Sequence, residues 1–410
     1  QGPFETWQAA GWREVAEMVR ADIEHGRAMA SAPLPAWVFQ RDGVHESAGS
    51  YSAADDALKA RSALPVYERQ LYPEQVMGEA PRPRGETLWE NDGVRLWTRP
   101  DQDARIGILS FKSKMHAIGD EVLDGLLEAV ARAERDLDGV VLWHEAPFAV
   151  GANLQQVAAA CQAGQFDLLE KTVAKFQQAS MAIKHAQVPV VAAVQGMALG
   201  GGCEFAMHAA HRVMALESYI GLVEVGVGLI PAGGGSKEFA LQAHRLAQRA
   251  AGGDVFPYIQ TAFQTVAMAT VAKSAVEAVQ YGFAKPSDDV LFNAHELLYV
   301  AIRRARAMAE AGWRPPLVER KVVVAGRNGI ATCEMMLANM REGGFISAHD
   351  YRVSKAAATA LCGGEVDTNA RVSEAWILDV ERAQFVELLK NEQTQQRIVH
   401  MLETGKPLRN

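Results

Sequence analysis

The chain has 410 residues, enough for two or three domains with ample core material. Hydrophobic residues make up 49% and charged residues 22%, ordinary values for a globular protein. The formal charge of -8, from 49 acidic against 41 basic residues, argues against a general nucleic-acid binder but leaves room for a local anion site.

Cys161, Cys203, Cys333 and Cys362 are widely spaced and form no CxxC pair, which disfavours a disulfide scaffold or zinc ribbon and suggests a reducing compartment, the cytoplasm by default. No run approaches about 18 uninterrupted apolar residues, so no transmembrane helix is expected. The chain opens Gln1-Gly-Pro-Phe without methionine or a charged-then-apolar leader, and it reads as a piece of something longer.

Residues 1–75 read as helices, because Trp12 to Arg20 has apolar residues at three- and four-residue spacing. The proline-rich stretch from Leu71 to Gly85 reads as a linker, placed at 76–88. Strands are expected at Val94–Thr98, Ile106–Phe111, Gly139–Trp143 and Val188–Val194. Helices are expected at Glu121–Arg135, with Val122, Leu126, Ala129, Val130 and Ala133 on one face, and at Leu168–Lys184. This alternation indicates α/β units with parallel strands, a core placed at 89–285. From Lys237 onward the pattern is mostly helical, broken at Trp313-Arg-Pro-Pro316, Gly343-Gly344 and Gly363-Gly364, and residues 286–410 read as a helical C-terminal region.

The apolar strand Val188–Val194 leads into Gly196-Met-Ala-Leu-Gly-Gly-Gly-Cys-Glu204, and helix-forming residues follow. Glycines at such a junction let another molecule approach the backbone and leave N–H groups free at a helix start, a place suited to developing negative charge. A lone glutamate is usually a solvated surface group. Glu204 and Glu224 depart from that expectation because both lie in apolar, glycine-rich surroundings, where burial raises a carboxyl's proton affinity toward working pH. Phe148-Ala-Val-Gly-Ala-Asn-Leu154 reads as a strand-to-helix turn with Asn153 near an N-cap, or as a second backbone donor facing the glycine cluster.

Nucleotide motifs fail on spacing. Ala232-Gly-Gly-Gly-Ser-Lys237 reverses the GK[ST] order of a P-loop, and Pro231 stands where GxGxxG needs glycine. Cys203, His208 and His211 lie in helical phases that do not converge, so no metal site is assigned to them.

Together these residues resemble the crotonase family, the enoyl-CoA hydratases and isomerases. The matching pieces are Phe148–Leu154, Pro189–Gly196, Leu199–Glu204 and Gly221–Gly235, in the family's order and spacing, across roughly residues 90 to 240. The ends are similar to the bifunctional β-oxidation proteins that join a 3-hydroxyacyl-CoA dehydrogenase to a hydratase: Gly2-Pro-Phe-Glu-Thr-Trp7 to the dehydrogenase's helical domain, and Arg397–Asn410 to the group's C-terminus.

The resemblance implies an α/β fold, a crotonase-like spiral of ββα units with a helical C-terminal region and an N-terminal helical remnant. It implies that the chain acts on an acyl-CoA thioester without a cofactor of its own, NAD belonging to an absent dehydrogenase half. Neither nucleic acid nor membrane is implied as a partner, while a homo-oligomer or a β-oxidation complex is. By position, the oxyanion hole falls on the backbone N–H groups of Ala152 and Gly201, and the catalytic carboxylates on Glu204, as base, and Glu224, as proton donor to C2. Lys114, Met115, Ala117, Phe148, Gly151 and Gly200 fall on substrate-binding positions. Asn153 departs from the aspartate common in relatives, although both types cap helices. The competing expectations are a Δ3/Δ2-enoyl-CoA isomerase, which needs one carboxylate, and a non-catalytic module that binds CoA esters or docks subunits.

Overall fold

Val190 to Val194 is buried on both faces, as a central strand of a parallel sheet must be when helices cover it from either side. It begins the strand Val190–Leu199, which pairs in parallel with Gly139–Leu142 on one edge and His211–Gly221 on the other. The computed structural model describes residues 2–46, 48–60, 64–70 and 85–410. It divides into two units, one within residues 1–84 and one within 85–410.

In the larger unit, eight described strands form one sheet, and Val322–Val323 pairs antiparallel with Arg371–Val372 in a separate one. Glu86–Glu90, Val94–Arg99 and Asp103–Phe111 run antiparallel in sequence, and Asp103–Phe111 then pairs in parallel with Gly139–Leu142. Beyond His211–Gly221 lie Val271–Ala272, antiparallel to it, and Asp289–Leu291, parallel to it. The helix Asp120–Asp136 buries Val122, Leu126, Ala129, Val130 and Ala133 on one face, the stripe expected from their spacing, and its first turn carries Asp120 and Glu121 where the helix dipole favours acids.

After Gly235 the chain is mainly helical. Glu374–Leu389 packs on Phe166–His185 and on Gly235–Arg249. One apolar core runs from Val94 to Ile398. The boundary expected between 285 and 286 therefore precedes a strand, Asp289–Leu291, that joins the same sheet.

The smaller unit is only partly helical. Pro3–Glu24, bent at Gly11 where φ is +99°, packs Trp12 and Ala16 against Val38 and Val44, and Trp12 Nε1 donates to Val38 O at 2.8 Å. Helices expected over 1–75 give way at His45–Lys59 to a three-stranded antiparallel sheet of His45–Glu46, Gly49–Ser52 and Ala57–Lys59. Gly49 explains part of this: a methyl there would lie 2.2 Å from Lys59 O, so only glycine permits the strands to approach. Gln8 secures the first strand by accepting the Val44 and His45 N–H groups. Most of the expected linker, residues 76–84, lies outside the described residues, and its last residues, 86–88, belong to the strand Glu86–Glu90. Among the described residues no helix is long and apolar enough to cross a membrane.

Candidate active site

The strand Val190–Leu199 ends at Gly200, whose φ of +53° and ψ of −125° suit glycine, and the helix Gly201–His208 begins at once. Added methyl groups would lie 2.5 Å from Phe176 Cζ at Gly201 and 2.7 Å from Ala149 O at Gly202. The glycines therefore let this helix start in direct contact with the segment 148–152. Backbone hydrogen bonds hold that segment on the strand: Phe148 N to Gln195 O, Ala149 N to Met197 O and Leu199 N to Ala149 O, each 2.9 Å. Gly151, at φ +100°, completes the approach, since a methyl on it would lie 3.5 Å from Gly201 N.

Ile118 N donates to Gly151 O at 2.8 Å, and Ile118 O accepts Asn153 N at 2.9 Å. In such a parallel bridge the residue between, Ala152, turns its own N–H to the opposite side. The Gly201 N–H is the first of its helix and has no partner within it. Neither N–H donates to an acceptor among the described residues. Asn153 caps the helix Leu154–Gln162, accepting Gln155 N at 3.1 Å and Gln156 N at 3.3 Å, the capping role expected of it.

Both glutamates meet this turn. Glu204 is buried in the first turn of Gly201–His208, and its Oε1 accepts Gly233 N and Gly235 N, each at 2.8 Å. Burial pushes its pKa up to about 7, against the pull of those two amides and of Lys237. Glu224 opens the short 3-10 turn Glu224–Val227, and a methyl on Gly200 would lie 3.2 Å from its Oε1. Its Oε2 is buried without a hydrogen-bond partner. Burial first, and the Glu204 carboxylate second, hold its pKa well above the ordinary carboxyl value. The two carboxyls are thus near enough for the charge of one to act on the other.

The remaining expected residues divide. Gly151 and Gly200 form the contact between the two turns. Lys114, Met115 and Ala117 lie on and beside the 3-10 turn Lys114–His116, which is fastened next to it by His116 Nδ1 against Pro147 O at 2.6 Å and Ser113 Oγ to Ala117 O at 2.7 Å. Lys114 and Met115 are exposed. The Phe148 ring is fully buried and stacks on His144 with centroids 5.3 Å apart. Cys203, His208 and His211 have separate surroundings: Cys203 is buried in the core, His208 faces Glu204 O and Lys237, and His211 faces Asp289.

Sequence reasoning missed a buried charge cluster behind Glu204. Lys184 Nζ donates to Glu238 and Glu374 at 2.6 and 2.5 Å, and Lys237 Nζ donates to the same two at 2.6 and 3.0 Å. Burial would raise the Glu238 pKa, but Lys237 and Lys184 together hold it well below the usual range. Burial pushes the His208 pKa down to about 3, aided by Lys237, so His208 is neutral here and faces Lys237 Nζ at 2.8 Å. The visible signal was the pair Lys237-Glu238 just after the uncharged Gly233-Gly-Gly-Ser236; its partner Glu374 lies too far along the chain to be read.

Residues 103–252 match the family model described as enoyl-CoA hydratase/isomerase. A probable 3-hydroxyacyl-CoA dehydrogenase of Bacillus subtilis is 34% identical over 417 residues, a match that takes in 100% of this chain and 50% of that protein. A putative fatty acid oxidation complex trifunctional enzyme of Rickettsia felis is 27% identical over 59% of this chain and 29% of its own length. The chain thus spans about half the length, or less, of these curated relatives. Among solved structures, an enoyl-CoA hydratase from Bacillus halodurans superposes with a TM-score of 0.50 at 15% identity, covering 75% of this chain and 98% of its own, a likeness of fold.

Proposed function

Since residues 103–252 are a domain of the enoyl-CoA hydratase/isomerase family, we propose that the chain adds water to a trans-2-enoyl-CoA to give the 3-hydroxyacyl-CoA, in fatty-acid β-oxidation. The observation that carries this reading is the contrast between the paired carboxyls. Glu204 has one oxygen held by two amides and a pKa pushed up to about 7, while Glu224, its pKa raised well above the ordinary value by burial and by Glu204, keeps a buried oxygen without a partner. Two carboxyls in such unlike surroundings can divide the work of base and acid.

In this scheme Glu204 takes a proton from water as its oxygen bonds to C3. The C2–C3 double bond is consumed, and negative charge moves onto the thioester oxygen. The Ala152 and Gly201 N–H groups bind that oxygen, aided by the start of the helix Gly201–His208. Glu224 gives its proton to C2, and exchange with solvent restores the pair. Lys114, Met115 and Ala117 border the CoA moiety.

Loss of the conjugated enoyl-thioester absorbance of crotonyl-CoA is the assay. Glu204→Gln is expected to lower hydration by about 10²- to 10⁴-fold. If that variant hydrates at the wild-type rate, the two-carboxylate scheme is wrong. Double-bond migration that survives in it would mark an isomerase using Glu224 alone. We further propose that the chain is part of a larger protein whose dehydrogenase portion consumes the 3-hydroxyacyl product; this chain alone is then expected to reduce no NAD with 3-hydroxybutyryl-CoA.

A further inference from the structure

The amides that grip Glu204 sit on residues 233 and 235, where the chain crosses from a glycine loop into the helix Gly235–Arg249. Two buried side chains on other elements fix this crossing. Gln177, on Phe166–His185, donates through Nε2 to Ala232 O at 3.0 Å and to Leu378 O at 2.8 Å. Glu381, on Glu374–Leu389, accepts Lys237 N through Oε2 and Gln177 Nε2 through Oε1, both at 3.1 Å. Gln177 Oε1 accepts from Arg382 at 2.6 Å. Gln177 is 3% exposed and Glu381 0%.

We propose that Gln177 and Glu381 are positioning residues: they clamp residues 232–237 so that the Gly233 and Gly235 amides aim at Glu204, with Glu381 the third carboxylate of the site. The proposal rests on the reading of Glu204 as the base. A carboxylate at such depth costs several kcal/mol unless its neighbours compensate, and an apolar side chain would fill the same space at less cost. Both Glu381 oxygens accept N–H groups, one from Gln177 on Phe166–His185 and one from Lys237 on Gly235–Arg249. Burial and then Glu204 hold its pKa well above the ordinary carboxyl value, against the pull of Lys237 and its amide. Glu381 also raises the proton affinity of Glu224, whereas that of Glu204 is set by burial, by the Gly235 and Gly233 amides and by Lys237. The other charged surroundings nearly cancel: Lys184 and Lys237 are matched by Glu238 and Glu374, His208 is neutral, and Arg382 bonds to Gln177.

The test pairs the pH dependence of kcat/KM for crotonyl-CoA hydration with amide hydrogen exchange of residues 231–237 in the free protein. Glu381→Gln sets its amide nitrogen against the N–H group of Gln177 or of Lys237 and so breaks one arm of the clamp. With the Gly233 and Gly235 amides loosened from Glu204, the acid limb is expected to move to higher pH by about one unit, with exchange in the segment faster by about tenfold. Gln177→Met loosens the same segment from its other side, so faster exchange, lower kcat and an acid limb moved in the same direction are expected. Wild-type exchange in both variants, or an acid limb that stays or moves to lower pH in both, overturns the proposal. A wild-type protein inactive on every enoyl-CoA tried would instead sink the functional reading, and exchange would then judge the clamp alone.

Discussion

Glu204 can serve as a base at neutral pH because burial and hydrogen bonding oppose each other on one side chain. Burial penalises its charge, two amides favour it, and the balance falls near 7. The kcat/KM for hydration should therefore rise with pH through this region, where Glu204 ionises, and fall when Glu224 loses its proton. Stability moves the other way. The Glu204 pKa is about 7 when folded, against an ordinary 4.5, so the stability tied to its protonated form is complete below pH 4.5 and is lost as pH rises through 7. Glu204→Gln keeps an acceptor for both amides and carries no charge. Thermal unfolding should find it level with wild type near pH 4 and more stable near pH 8, by on the order of 3 kcal/mol. Equal stability of the two proteins at both pH values would contradict this account of the carboxyl.

At the scale of elements, the site depends on how closely the helix Gly201–His208 approaches the segment 148–152. Glycine makes that contact: the would-be Cβ of Gly202 meets Ala149 O and Ala149 Cβ, each at 2.7 Å. A methyl there must push the helix away from the turn that carries the Ala152 N–H. Gly202→Ala is expected to lower stability by about 1–3 kcal/mol through overpacking. Hydration should fall further, by about 100-fold, because the two N–H donors would no longer share one oxyanion position. The check is kcat measured well below the variant's melting temperature. A stability loss with kcat intact would mean that the two segments do not act together. Asn153 belongs to this scale too. It caps its helix as aspartate would, so its departure from the common family residue leaves the turn in place.

For the whole molecule, the buried charges decide where the unit containing the site can be cut. Lys184 and Lys237 are matched only with the help of Glu374, and the Glu204 loop is braced by Glu381; both acids lie in the region expected to be a separate helical part. A chain of residues 85–285 would leave two buried ammonium groups with Glu238 as their remaining carboxylate partner, a loss of the kind that costs about 3–5 kcal/mol. Residues 85–410 made alone should melt cooperatively and hydrate crotonyl-CoA, while 85–285 should be unfolded or aggregated by circular dichroism and light scattering. A folded, active 85–285 would show that the C-terminal helices are dispensable. Local pattern was enough for much of the fold. The alternating strands and helices, the glycine turn and the two glutamates were legible because periodicity and backbone freedom are properties of short segments. The three-stranded sheet at His45–Lys59 was not, since Gln8, which holds its first strand, lies far before it in the chain, and the approach of Lys59 O to Gly49 appears only once the strands pair. Nor were Gln177, Glu374 and Glu381, which act on groups far away in sequence. A residue's chemistry is written where it stands in the chain, but whether a buried charge finds its partner depends on which distant segments the tertiary fold brings against it.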